Sequence, residues 1–159
     1  MPKLIVSAFP GTGKTYLAEK YGFQDSDSSK FSWITIENDN PSVYSIPTKI
    51  RNPDFPKNYI EHIKNSDADV IFVSTHKEVR DALKAEELPY ILIYPERSCM
   101  VEYKDRYLKR GSPMWFRELL VSMWNDWIDE LEAEDYPKKL VLKPGEYLSN
   151  HVHVHKFQS

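Results

Sequence analysis

One short stretch near the start of the chain combines glycines with a lysine and a threonine at spacings suited to holding phosphate groups. It reads Ala8-Phe9-Pro10-Gly11-Thr12-Gly13-Lys14-Thr15. Gly11 and Gly13 permit backbone conformations in which successive N–H groups point at phosphate oxygens. Lys14 supplies a positive charge for the outer phosphates, and Thr15 offers a hydroxyl to Mg²⁺. The pattern therefore predicts a loop that binds the phosphates of ATP together with magnesium.

The elements on either side of this motif are those that a phosphate-binding loop requires. The apolar run 4–6 predicts a strand before the loop, and residues 14–21 predict a helix that ends at Gly22. The N-terminus of that helix favours anions, because its N–H groups are unpaired and its dipole is positive there. An ordinary glycine turn that caps a helix is the alternative, and the flanking strand and helix argue against it.

Two aspartates lie at the end of the second predicted strand, which covers residues 23–25: Asp25 is its last residue and Asp27 follows it. A carboxylate at this position can hold Mg²⁺, or orient and deprotonate an acceptor hydroxyl. The alternative is a turn or a helix cap, because Asp and Ser favour both. Beside a phosphate-binding loop we favour the functional interpretation, with Asp27 ahead of Asp25 as the catalytic and metal-binding acid. Thr75 and His76, after the third strand, are expected to cap a helix rather than contact substrate.

Arginines cluster around a basic helix predicted over residues 98–110. Arg106 and Arg110 are four residues apart and share one helical face. Their planar guanidinium groups suit the equatorial oxygens of a phosphoryl group during transfer. A solvated helix face, paired with nearby acids, is the alternative. Arg51 lies in a different region, the insert over residues 30–58, and is a candidate for binding the acceptor's phosphate.

The remaining chain alternates predicted strands with predicted helices. Further strands are expected over residues 69–74, 90–94 and 140–142, and further helices over 58–64, 77–87 and from Pro113 onward, with Ser112 as a cap. Residues 30–58 are expected to be irregular, with short helical pieces. The long last helix carries three of the four tryptophans, and this apolar face is more typical of core packing than of ligand stacking. Alternating elements predict a parallel sheet with ligands at the carboxyl ends of its strands.

The composition of the chain limits the classes of protein to which it can belong. A chain of 159 residues with 41% hydrophobic and 28% charged residues predicts a single globular domain over residues 1–159. The net charge of −3 gives no electrostatic case for nucleic acid as the main partner. Cys99 is the only cysteine, no apolar run is long enough to cross a membrane, and no signal peptide is recognisable. A cytoplasmic location is therefore expected, and the oligomeric state stays open.

These motifs together resemble those of phosphate-loop kinases of the adenylate kinase and shikimate kinase type. The closer resemblance is to a small group of nucleotide kinases, named by similarity, from bacteriophages and Gram-positive bacteria. It is carried by residues 7–15, 25–33, 52–60, 94–97 and 106–111. The resemblance implies an α/β fold of the P-loop NTPase kind, with three α/β/α layers and a five-stranded parallel sheet in the order 2-3-1-4-5.

The same resemblance implies roles for three regions. Residues 97–111, with Arg97 at their start, match a mobile lid over the nucleotide. The insert over residues 30–58 matches the acceptor-binding region. Pro144 and Gly145 match the loop on which the base of ATP rests. The expected activity is transfer of a phosphoryl group from Mg·ATP to a small molecule, with a nucleoside or deoxynucleoside monophosphate as the leading acceptor.

Two other classes of function stay open at the level of sequence. One is a regulatory nucleotide-binding module, or an ATPase that turns over slowly. The other is a polynucleotide end kinase, which the negative net charge disfavours.

Overall fold

A computed structural model describes residues 1–36 and 48–151 of the chain. The strands of this described part are β1 (Leu4–Ala8), β2 (Gln24–Asp25), β3 (Trp33–Ile36), β4 (Thr48–Arg51), β5 (Val70–Val73), β6 (Ile91–Pro95) and β7 (Lys138–Leu142). Its helices are α1 (Lys14–Tyr21), α2 (Ser29–Ser32), α3 (Lys57–Lys64), α4 (Lys77–Ala85), α5 (Met100–Lys109), α6 (Met114–Glu132) and α7 (Leu148–His151). A 3₁₀ turn over Arg97–Cys99 leads into α5.

Five strands form one parallel sheet in the order β2-β5-β1-β6-β7, so the fold is α/β. The numbering of this order differs from the predicted 2-3-1-4-5. It differs because β3 and β4, which were not expected, lie between the second and third strands of the sheet along the chain. The loop over residues 9–13, which the sequence predicts to bind phosphate, follows β1, the middle strand, so the sheet carries this loop at the centre of its edge.

The central strands are covered by helices on both faces. Ile5 and Ile71 pack into one hydrophobic cluster, which also takes in the apolar faces of α3, α4 and α6. Val6 and Phe72 point to the other face and pack against Leu17 of α1. Burial on both faces explains the near-continuous apolar sequence of β1 and β5. Each fully buried aliphatic or aromatic side chain contributes about 1.5–3 kcal/mol to folding.

The insert is more regular than the sequence predicts. Over 30–58 the expectation was irregular structure with short helical pieces; α2 is such a piece, but the described part also holds an antiparallel pairing of β3 with β4, which was not expected. Trp33 lies opposite Arg51 in this pairing. Residues 37–47 of the insert lie outside the described residues. The alternation of β-branched and polar residues in the two strands was the available signal, but the long separation between them hides the pairing.

The start of the long helix also differs from the expectation. Helix α6 begins at Met114, after Pro113, and Ser112 makes no capping hydrogen bond to it. Ser112 instead accepts a hydrogen bond from Arg110 Nε at 3.2 Å. The predicted end of helix α1 is confirmed, since Gly22 follows its last residue in a left-handed conformation with φ of 70°.

Candidate active site

The loop between β1 and α1 is held in a conformation that its glycines make possible. Gly11 and Gly13 have φ angles of 88° and 95°, in the left-handed region that favours glycine. A Cβ atom on Gly11 would lie 2.9 Å from Cε1 of Tyr107. The buried Thr12 hydroxyl donates to the Phe9 carbonyl at 2.8 Å, and the Tyr107 hydroxyl donates to the Pro10 carbonyl. The loop is therefore fixed by its own contacts and by α5.

The backbone donors of this loop point to an anionic ligand. Within the described chain, the N–H groups from Gly11 to Thr15 have no hydrogen-bond acceptor. They lie at the N-terminus of α1, where the helix dipole also favours negative charge. Backbone donors left unpaired in this way are satisfied by water or by a ligand. A phosphate group matches both their number and their charge.

Lys14 stands at the centre of the charged groups that the sequence singled out. Burial lowers the pKa of Lys14, and the nearby Arg110 lowers it further, whereas Asp25 and Asp27 act in the opposite direction. All three of these charged residues therefore lie within electrostatic range of the ammonium group. The fold brings together residues from the loop, from the end of β2 and from the region after α5.

A hydroxyl and a carboxylate meet beside the loop. Thr15 Oγ1 donates to Asp25 Oδ2 at 2.9 Å. Asp27 points elsewhere, because its Oδ1 accepts a hydrogen bond from the Ser29 N–H at 2.9 Å at the start of α2. Hard oxygen ligands of this kind, completed by phosphate oxygens and water, suit Mg²⁺. Among residues 1–36 and 48–151, no group of three or more His, Cys, Asp or Glu side chains is arranged to hold a metal ion.

A cleft of about 570 Å³, here called the loop cleft, opens over the loop between β1 and α1. Its cationic lining residues are Lys14, Arg106, Lys109 and Arg110, and its acidic ones are Glu102 and Asp105. The excess of cations beside unpaired backbone donors makes the cleft attractive to a polyphosphate.

Arg106 is engaged by backbone rather than free to move. Its two terminal nitrogens donate to the Gly11 carbonyl at 2.8 Å and to the Glu146 carbonyl at 2.9 Å. Its guanidinium lies 3.8 Å from the ring centre of Tyr147 and 4.4 Å from that of Tyr103. With only 10% of its side chain exposed, Arg106 connects the loop between β1 and α1 to the segment after β7. This arrangement differs from the expected role on a mobile lid.

Arg110 and Arg97 also differ from each other in what their side chains contact. Arg110 lies over the Tyr107 ring, 4.8 Å from its centre, at the rim of the loop cleft and within range of Lys14. Arg97 instead turns away toward α6, where it donates to Asn125 Oδ1 at 3.1 Å and pairs with Asp129. Arg110 can therefore meet a phosphate, whereas Arg97 ties the turn before α5 to α6.

The loop after β7 borders the site through a residue that the sequence did not single out. Gly145 donates its N–H to Glu102 Oε1 at 2.7 Å, so this loop is attached to α5. Pro144 and Gly145 are exposed beside the loop cleft without lining it. Tyr147 does line it, and its Cδ1 would lie 3.4 Å from a Cβ on Gly13. The sequence signal for Tyr147 was the presence of an aromatic residue just after the loop expected to bind the base of ATP.

His76 joins the charged groups from the side of the third sheet strand. It occupies the cap position of α4, but its side chain makes no capping hydrogen bond. Burial lowers the pKa of His76, and the charges of Asp27, Arg51 and Lys14 also act on it. Arg51 itself is paired with Glu78 and lies 4.9 Å from the ring centre of Phe55. Burial of His76 therefore favours the neutral form of its imidazole, which lies among the groups predicted to handle the acceptor.

Searches with the sequence find no matching protein-family model and no matching curated protein. In the described part of the chain, none of the helices combines the length and the apolar character needed to span a bilayer.

Proposed function

We propose that the protein is a kinase of the P-loop NTPase fold that transfers the γ-phosphoryl group of Mg·ATP to a small-molecule acceptor, a nucleoside or deoxynucleoside monophosphate. The observation that carries this proposal is the run of unpaired N–H donors from Gly11 to Thr15 with Lys14 beside it. The position of that run, after the central strand of a parallel sheet, also supports it.

Each part of the site has a defined task in this proposal. The loop N–H groups and Lys14 bind the outer phosphates of ATP. Thr15 Oγ1 and Asp25 hold Mg²⁺ together with phosphate oxygens, and the ion neutralises charge on the phosphates. Arg106 keeps the Gly11 peptide oriented, so that the loop donors stay aligned. Arg110, at the cleft rim, meets the charge of the transferring group.

The acceptor side uses a second set of residues. Arg51 offsets the negative charge of the acceptor's phosphate. Neutral His76 donates a hydrogen bond to it, and Asp27 orients it. A kinase of this kind works where ATP is made and consumed, so we propose the cytoplasm as its compartment.

A regulatory module that binds ATP and hydrolyses it slowly is the second candidate. One observation favours it: both terminal nitrogens of Arg106, a residue expected to reach the transferring phosphoryl group, are taken by backbone carbonyls. In this case Arg110 would be the only arginine of α5 and its C-terminal end to contact the phosphates.

An acceptor screen separates the candidates. The protein is incubated with Mg·ATP and, one at a time, AMP, GMP, CMP, UMP, their deoxy forms, dTMP and a 5′-hydroxyl oligonucleotide, while ADP release is followed. The kinase proposal predicts ADP release that depends on one or a few monophosphates. Release without acceptor dependence supports the slow ATPase, and release that needs the oligonucleotide supports an end kinase. ATP binding equal in wild type and Lys14→Ala would contradict all three.

A further inference from the structure

A second cleft, of about 310 Å³ and here called the helix cleft, opens between α4 and α6. It meets the phosphate-binding loop at Phe9 and Pro10, whereas the loop cleft is lined by Gly11 and Gly13 of that loop and by residues 14–16 at the start of α1. Thr75 and His76, at the carboxyl end of β5, line its other side. The helix cleft therefore adjoins the same loop and contains one of the groups that surround Lys14.

The walls of the helix cleft are aromatic. Phe9, Phe116 and Trp127 line it, with Leu131 also contributing. Phe9 and Trp127 meet edge to face, with ring centres 6.5 Å apart. Phe116 and Trp127 are only partly buried, so they still present ring surface to the cleft. Flat aromatic ligands stack on such surfaces.

Both cations that line the helix cleft are paired with carboxylates, Lys77 with Asp81 and Arg80 with Glu130 and Glu134. Arg80 is 2% exposed, and its donors are taken by the Thr75 carbonyl, Glu130 and Glu134. It is therefore part of the wall and not an anion site. The Glu130 side chain is 39% exposed, so its carboxylate can accept hydrogen bonds from N–H groups of a ligand.

The size of the helix cleft limits what it can hold. Pockets for small molecules span roughly 300–1,000 Å³, and this cleft lies at the lower end of that range. It suits one ring system better than a whole dinucleotide. A flat ring with N–H groups at its edge is the chemistry that matches aromatic walls and a carboxylate.

We infer that the helix cleft holds the nucleobase of the phosphoryl acceptor, stacked on Phe116 and Trp127 with its N–H edge at Glu130 and its phosphate toward His76. The assignment of the ligand as an acceptor rests on the proposed kinase function. The binding of a base does not, because it follows from the cleft alone. This location differs from the insert over 30–58, and it gives the aromatic face of α6 a task besides core packing.

Binding without turnover tests the inference. AMP, GMP, CMP, UMP and dTMP are titrated by calorimetry in the presence of Mg²⁺ and a saturating non-hydrolysable ATP analogue, which occupies the loop cleft. Ribose 5-phosphate, which has the sugar and phosphate but no base, is the matched ligand. We expect at least one base-bearing monophosphate to bind tenfold or more tightly than ribose 5-phosphate.

Variants then locate the binding site. Trp127→Leu and Phe116→Leu keep apolar volume but remove a ring, and each is expected to weaken binding of that monophosphate about tenfold or more. The matched control is Trp115→Leu, on the same helix, because Trp115 is 66% exposed and does not line the cleft. Circular dichroism identifies any variant that fails to fold, and the second ring variant then carries the test.

The outcomes distinguish this inference from the proposed function. No binding of any base-bearing monophosphate, or equal binding by both folded ring variants and wild type, overturns the helix cleft as a base site. Acceptor-dependent ADP release with an unchanged acceptor KM in both ring variants overturns it while leaving the kinase intact. Base binding that is lost in the ring variants, with no ADP release by wild type, supports the cleft and contradicts the kinase.

Discussion

The loop cleft is lined by cations and by unpaired backbone donors, whereas the helix cleft is walled by aromatic rings. The unpaired backbone donors and Lys14 of the first come from one short stretch of chain, because the loop and the start of α1 are continuous, whereas its other three cations come from α5 and Arg110. The second is assembled from the loop, the end of β5, α4 and α6, which are far apart in sequence. The backbone donors of an anion site can therefore be encoded locally, whereas its cationic wall and a ring-binding site depend on tertiary packing.

The same contrast predicts different physical behaviour. Binding in the loop cleft depends on charge and should weaken as salt rises. Binding of a nucleobase in the helix cleft depends mainly on apolar contact, so salt should weaken monophosphate binding less than ATP binding. Substitutions that act on only one cleft test this contrast.

The largest effect is expected for Lys14→Ala. Loss of one electrostatic group at a reacting phosphate typically costs about 10²–10³ in rate, so turnover should fall by at least this factor. Monophosphate binding in the helix cleft should stay near the wild-type value. Steady-state kinetics and calorimetry on the folded variant measure both quantities. Lys3→Ala is the control, since Lys3 is exposed and pairs with Asp69; near-normal turnover by Lys14→Ala would refute the assignment of the loop.

Arg110→Ala and Arg106→Ala are expected to fail in different ways. Arg110→Ala should lower kcat by about 10²-fold, as for a residue that meets the transferring group, with little change in melting temperature. Arg106→Ala should destabilise the fold by about 2–4 kcal/mol, because it leaves the carbonyls of Gly11 and Glu146 without their charged donor. That loss corresponds to a fall in melting temperature of several degrees. Thermal melts and kinetics on both variants decide, and the reverse pattern would return Arg106 to the role of a lid arginine.

Asp25→Asn and Asp27→Asn should separate metal binding from acceptor handling. Asp25→Asn is expected to raise the Mg²⁺ concentration for half-maximal activity by about tenfold, since its carboxylate meets Thr15 Oγ1. Asp27→Asn should mainly raise the acceptor KM. Magnesium titrations of both variants provide the measurement. If Asp27→Asn has the larger effect on the magnesium requirement, Asp27 is the metal-binding acid, as the sequence predicts, and the assignment of Asp25 to Mg²⁺ is wrong.

The smallest effect concerns the stability of the fold at mildly acidic pH. Because the folded-state pKa of His76 lies below its usual 6.5, the folded protein binds fewer protons than the unfolded chain just below that pH. Stability should therefore decrease as the pH falls from about 7 to 5. His76→Asn should show a shallower decrease in melting temperature over this range. Equal slopes for the two proteins would show that His76 titrates as in the unfolded chain.

The parts of the site that the sequence predicted are those controlled by local backbone chemistry. Helix α1 covers the predicted residues 14–21, and Gly11 and Gly13 have the positive φ angles that their motif required. The contacts that it missed join distant segments. Arg106 bonds to the Gly11 carbonyl, 95 residues away, and Arg97 pairs with acids on α6. Nothing in the spacing of these arginines distinguishes a clamp from a phosphate ligand.

The most direct test of the central claim follows the phosphoryl group itself. ATP radiolabelled at the γ-phosphate is incubated with Mg²⁺, the wild-type protein and each nucleoside monophosphate, and the products are separated by chromatography. The proposed kinase function predicts that the label appears in a nucleoside diphosphate formed from one or a few of these acceptors, and that the Lys14→Ala variant does not form this product. Label that stays in ATP, or that appears only in inorganic phosphate with every acceptor, would contradict the kinase function.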